Sequence, residues 1–205
     1  MELFEEVVVV SDVRSAEEAY TVRSILEFYR LRVRFERLVQ RRQLDDFFAG
    51  RLGSSPYTVV MVHGAETDDG RVIRFELVDN AGGDPKAAEG WEPITVDLSA
   101  RTIPEIVTKG SGTLITCSCG GGDSSLAEAF FQAGYDAYVG QTEPYYSSHA
   151  TLMFVTGLFY FLLAEDRDYD PRRYSLDEAV ARAAKLDAGW KSGTERFRCY
   201  SRPGS

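Results

Sequence analysis

The chain has 205 residues, 44% of them hydrophobic and 27% charged, with a net charge of −9. Those proportions describe a globular domain with room for a large core. The negative balance argues against general affinity for nucleic acid or for an anionic membrane surface.

The first residues, "MELFEEVVVV", are acidic ahead of their apolar run, where a secretory signal would be basic. Three cysteines do not make a disulfide framework, so the chain is expected to be cytoplasmic with reduced thiols. The 13-residue apolar run "TLMFVTGLFYFLL" at 151–163 is too short to span a bilayer and reads as a buried helix.

In chain order, "EVVVVSD" is short and β-branched, a buried strand. "SAEEAYTVRSILEFYR" follows, with Ser15 and Glu18 spaced as a capping box and Ala19, Val22, Leu26 and Tyr29 on one face of a helix. "RVRFERLV" reads as a second strand. It belongs to a segment, 30–42, with six arginines, and charge on a strand near a sheet edge guards against aggregation. "QLDDFFAGRL" is a short helix ending near Gly53, and "PYTVVMVHG" a third, central strand.

Residues 65–105 change texture and read as an insertion between core strands. "RVIRFELV" alternates like an exposed strand, "DNAGGDPKAAEGWEP" is a loop, "ITVDL" returns as a strand and "RTIPEIVTKG" is a short helix. Alternation then resumes. "GTLITCSC" is a buried strand, "SSLAEAFFQAG" a helix capped by Ser124 or Ser125, and "DAYVGQ" a short strand. Two helices follow, the second capped by Ser175 with Glu178, and "ERFRCY" is a last strand containing Cys199. Strands alternating with helices predict an α/β fold: a mostly parallel sheet covered on both faces, in a single domain over residues 1–200. The tail 201–205 is expected to be disordered.

Sites in such sheets form beyond the carboxyl ends of the strands. Asp12, His63 and Cys119 stand at three such ends. His63 and Cys119 come from strands separated only by the insertion, which makes those strands neighbours. A histidine beside a cysteine is the minimum for an activated thiol nucleophile, because a free thiol is only a few per cent thiolate near neutrality. Gly64 follows His63, and Gly120, Gly121 and Gly122 follow Cys119. Small residues let a substrate backbone approach, and the N–H groups of Gly64 and Cys119 are placed to meet a developing oxyanion. Neither G-x-x-x-x-G-K-[ST] nor G-x-G-x-x-G occurs, which argues against a nucleotide site. C-x-C with two histidines lacks zinc-ligand spacing, so neither a metal nor another cofactor is expected. His149 starts a helix and reads as a surface or capping-region residue.

"YTVVMVHG" and "TLITCSCGGG" resemble the two signatures of cysteine peptidases with the caspase fold. The histidine lies 56 residues before Cys119, close to the spacing of caspases. The continuation from "SSLAEAFFQAGYDAYVGQ" through "SLDEAVARAAKL" is similar to the bacterial branch called CHAT. The resemblance covers roughly residues 55–200 and is most specific at 113–163. It selects Cys119 over Cys117, and it departs from the pattern at Ser118, where alanine is usual, and at Gly120 and Gly121, where bulkier residues are common.

The resemblance implies a three-layer caspase-like fold and a cysteine endopeptidase acting through a His63–Cys119 dyad without a third member. Its relatives belong to bacterial defence or regulated cell-death systems. It also implies a protein or peptide substrate and a separate sensor or activator protein. Asp12 and Asp123 are pocket candidates that would favour a basic residue before the cut, the expected preference, and Arg14 is the candidate that would favour an acidic one. The loops at 78–93 and 140–148 are placed to cover the cleft. Two other classes compete. One is a catalytically silent caspase-like module that binds a protein partner through the same cleft. The other is a flavodoxin-like or receiver-like regulatory domain, supported by "VVVVSD" but with His-Gly where a receiver needs its phospho-acceptor Asp.

Overall fold

Side chains alternate across a strand, so the odd and even residues of "EVVVVS" face opposite layers. This alternation organises the whole molecule. The structure is a computed structural model that describes residues 6–80, 91–143, 148–163, 174–186 and 196–204. Its strands are β1 (Glu6–Ser11), β2 (Arg32–Arg37), β3 (Tyr57–Met61), β4 (His63–Thr67), β5 (Gly70–Asn80), β6 (Trp91–Leu98), β7 (Thr113–Thr116), β8 (Ala137–Gln141) and β9 (Phe197–Ser201). Its helices are α1 (Ala16–Phe28), α2 (Arg41–Phe48), α3 (Ile103–Ile106), α4 (Ser124–Gln132), α5 (Ser148–Leu163) and α6 (Leu176–Ala183).

The central sheet has six strands in the order β2-β1-β3-β7-β8-β9. All its pairs are parallel except β8 with β9. Val7, Val9, Val59, Met61, Ile115 and Val139 face a layer built from α1, α5 and α6. Val8, Val10, Val60, Leu114 and Tyr138 face the opposite layer, which holds α2, α4 and the second sheet. The result is a three-layer α/β fold with helices on both faces, compatible with the caspase-like architecture. The five parallel strands alone follow the doubly wound order 2-1-3-4-5. The antiparallel β9 and the second sheet are additions to that core.

The second sheet, β4-β5-β6, is antiparallel and fills much of the insertion. Ile73, Phe75, Leu77, Val96 and Leu98 bury one of its faces on the main core. It is also latched by hydrogen bonds, from Val78 N to Val39 O at 2.7 Å and from Val13 N to Glu76 O at 3.3 Å. "RVIRFELV" therefore belongs to a half-buried strand rather than an exposed one.

Other differences are local. β2 is an edge strand, as its arginines suggest. The strand "GTLITCSC" stops at Thr116, because the backbone turns at Ser118. Ser15 makes no side-chain cap at α1; the Asp12 carboxylate takes the Arg14 and Ser15 amides instead. At α4 the cap is Asp123, not Ser124 or Ser125. At α4 the aspartate just ahead of the serines supplies the stronger, charged acceptor. At α6 the Ser175–Glu178 capping box forms as read. Ser201 closes β9 and the Arg202 amide donates to Asp136 O at 2.8 Å, so the ordered chain continues into the expected tail.

Candidate active site

β3 and β7 are hydrogen-bonded neighbours, with Tyr57 opposite Thr113 and Val60 opposite Thr116. The ladder register persists past the strand ends. Cys117 N donates to Val60 O at 3.0 Å, and the Ser118 hydroxyl donates to Val62 O at 3.1 Å. Ser118 is wholly buried, and its Oγ also accepts from Thr116 Oγ1 at 3.0 Å. The separation of 56 residues across the Ser118–Val62 bond is the same as that between Cys119 and His63. The sequence spacing of the two candidate groups is thus the strand register itself.

Beyond Val62 the chain leaves the central sheet and starts β4 at His63, which is in register with Arg74 on β5. Arg74 is held by a bidentate ion pair to Asp97 on β6, at 2.8 and 2.7 Å. Directly paired residues share a face of an antiparallel sheet, so His63, Arg74 and Asp97 form a row across the second sheet. Gly64 lies on the other face, against Cys119. A Cβ at Gly64 would overlap the Cys119 carbonyl oxygen and lie 2.7 Å from its amide nitrogen. Only glycine permits this approach, which sets Gly64 directly against the backbone of Cys119.

Cys119 occupies the corner of a tight turn. Gly121 N donates to Ser118 O at 2.9 Å, and Gly120 has φ +69° while Cys119 does not have positive φ. That is the pattern of a type II turn, which requires a left-handed third residue and so favours glycine. Bonds from β8, its following residues and β9 brace the turn. Gly120 N donates to Glu143 O at 2.8 Å and Gly122 N to Gln141 O at 2.6 Å. Tyr138 Oη donates to Gly121 O at 2.5 Å and Tyr200 Oη to Gly122 O at 2.7 Å. Burial raises the Tyr138 phenol well above its ordinary range, which keeps it a donor. Gly140 gives the turn room, since a Cβ there would overlap Gly121 O.

The three thiols differ sharply. Cys119 is half-buried, whereas Cys117 is buried in the core behind the sheet. Burial, with a smaller contribution from the Glu18 charge, pushes the Cys117 thiol far up. The Cys199 thiol is pushed up to about 12, chiefly by burial and then by its hydrogen bond and proximity to Asp177. A thiol that stays protonated is a poor nucleophile. His149 is exposed in the first turn of α5.

The expected pocket residues fare differently. Asp12 is wholly buried; Oδ1 accepts from Arg14 N and Ser15 N, and Oδ2 from Glu76 N at 2.9 Å. It therefore joins the end of β1 to the second sheet and does not line a pocket. Asp123 is engaged by the Ser125 amide and hydroxyl at 2.8 and 2.7 Å. Arg14 is exposed and pairs with Glu76 at 2.6 Å. Arg71 was not singled out by sequence. Its side chain crosses Gly120, with Cδ 3.0 Å from where a Cβ would stand. The cover expected from 78–93 and 140–148 lies largely outside the described residues, as 81–90 and 144–147 do. Among the described residues no three His, Cys, Asp or Glu side chains cluster as metal ligands, and no helix is long and apolar enough to cross a membrane.

Comparison with known proteins finds no matching family model, and no curated protein matches the chain.

Proposed function

We propose that the chain is a cysteine endopeptidase of the CHAT-like kind that cleaves peptide bonds through a His63–Cys119 dyad. The observation that carries the proposal is the Ser118–Gly121 turn, which projects Cys119 from the end of β7 while its backbone packs on Gly64, the residue after His63. A core cysteine would need neither the left-handed glycine nor four braces on the three glycines that follow it.

In the reaction, the Cys119 thiolate attacks the scissile carbonyl carbon. The N–H groups of Gly64 and Cys119 receive the oxyanion, and a braced turn keeps them in place without reorganisation during the step. His63 takes the thiol proton and gives it to the leaving amine, whose departure leaves an acyl thioester. His63 then removes a proton from water, the water oxygen adds to the thioester carbon, and collapse of the adduct releases the carboxylic acid and restores the thiol. The partner is a protein or peptide substrate, with a separate sensor or activator protein as a second partner.

A peptidyl acyloxymethyl ketone tests the dyad by intact-protein mass. The expected result is one adduct, mapped to Cys119, with a rate that falls about a hundredfold or more in His63→Ala, the usual contribution of a positioned acid–base group. An adduct spread over Cys117 and Cys199, or a rate indifferent to His63, contradicts the proposal. Absence of any adduct favours a silent module that binds its partner through the same cleft.

A further inference from the structure

Arg71 sits on β5 two residues before Ile73, so it shares the face on which Gly64, opposite Ile73, meets Cys119. Its side chain lies over Gly120. The position a Cβ would take there is 3.0 Å from Arg71 Cδ, 3.3 Å from Nε and 3.5 Å from Cζ. A guanidinium thus fills the space of the missing side chain next to the candidate nucleophile. Among the described residues its ion-pair partner is Glu66, its cross-strand neighbour, at 3.0 Å. The Glu66 side chain is 68% exposed, and the Arg71 side chain retains 30% exposure. So exposed a pair is weak and easily exchanged for another carboxylate.

We infer that Arg71 is the carboxylate-recognising residue of the cleft, receiving an acidic side chain of the peptide substrate beside the bond that Cys119 attacks, with Glu66 as the internal carboxylate that this side chain displaces. This rests on Cys119 being the nucleophile. Arginine suits the task because its planar fork stays charged and binds a carboxylate through two parallel N–H donors. The expected preference for a basic residue rested on Asp12 and Asp123, whose oxygens are taken up by turns and caps. Arg71 reverses it, and an acidic substrate brings the charge that this site lacks when Glu66 moves aside.

Two small alkylating agents isolate the recognition step from turnover. Iodoacetate and iodoacetamide react alike: the thiolate sulfur bonds to the methylene carbon and iodide departs. They differ only in carrying a carboxylate or an amide. Their rate ratio at Cys119, read by peptide mapping, cancels any change in thiol nucleophilicity. The ratio in the folded wild type is expected to exceed that of the unfolded chain. It should fall about tenfold in Arg71→Gln, where the charged fork is lost, and rise several-fold in Glu66→Gln, where the competitor is removed. Circular dichroism verifies that both variants fold, and the opposite signs keep the test decisive if one does not. A ratio unchanged in the folded variants overturns the inference.

Matched peptides containing Asp or Glu, or Asn or Gln, separate this inference from the peptidase proposal. Cysteine-dependent cleavage that ignores the acid and ignores Arg71→Gln overturns the carboxylate site and leaves the peptidase standing. An Arg71-dependent alkylation ratio without any cleavage supports the carboxylate site and counts against the peptidase.

Discussion

The Ser118 hydroxyl donates to the Val62 carbonyl at 3.1 Å, and each partner stands one residue before a candidate catalytic group, Cys119 and His63. One buried hydrogen bond therefore sets the relative height of the two groups across β3 and β7. Ser118→Ala leaves Val62 O without this donor and Thr116 Oγ1 without this acceptor, in a wholly buried setting. The expected loss is about 1–3 kcal/mol of stability, the cost of stranding buried polar groups. Urea unfolding measures it; a loss below about 0.5 kcal/mol, the range of inconsequential substitutions, would show that the bond is not holding the strand ends.

Gly64→Ala acts on the same junction from the other side. The added methyl overlaps the Cys119 carbonyl, a backbone atom that cannot swing away. Overpacking of this kind costs about 1–3 kcal/mol. The more telling expectation is that alkylation of Cys119 and peptide cleavage change more than stability does, because the displaced backbone carries the proposed oxyanion donors. A variant with wild-type kinetics would separate Gly64 from the site.

Asp12→Ala removes the acceptor of three amides, those of Arg14, Ser15 and Glu76. Since one stranded buried partner costs about 1–3 kcal/mol, the melting temperature should fall by many degrees. If Asp12 instead served substrate selection, the variant would keep its stability and alter only the cleavage preference, which peptide profiling would reveal.

Thiol titration supplies a pH dependence with a definite sign. An unfolded cysteine titrates near ~8.5, whereas folding pushes Cys199 up to about 12 and Cys117 further. Folding thus favours the protonated thiols. That contribution is complete below the unfolded value and is lost as pH rises through the interval up to about 12. Stability measured by denaturant at pH 8 and pH 10 should decline, and Cys199→Ser should lessen the decline. At pH 8 iodoacetamide should reach half-buried Cys119 well before Cys117 and Cys199 in the folded protein.

Much of this was legible in the sequence because local and global signals agreed. β-branched runs gave buried strands, and the alternating arginines of β2 marked an edge. The His-Gly and Cys-Gly-Gly-Gly signals fell at neighbouring strand ends, as an insertion between two core strands requires. What stayed hidden depends on contacts between distant segments. Asp12 looked like a site residue because an aspartate at a strand end suits either a pocket or a turn, and only β5, arriving from 64 residues away, decides between them. Arg71 lay unremarked in an alternating strand, since nothing local reveals that it crosses Gly120. Tyr138 and Tyr200 carried no polar signature, although Gly140 at a strand end hinted at a close backbone approach.

The proposed activity of Cys119 is the cleavage of peptide bonds. Its most direct measurement is digestion of a mixed peptide library by the wild type and by Cys119→Ala, with mass spectrometry of the products. New termini are expected with the wild type that vanish in the variant, clustered at acidic residues near the cut. Products identical in both samples, or none from a wild type whose Cys119 reacts no faster than Cys117 and Cys199, would contradict it.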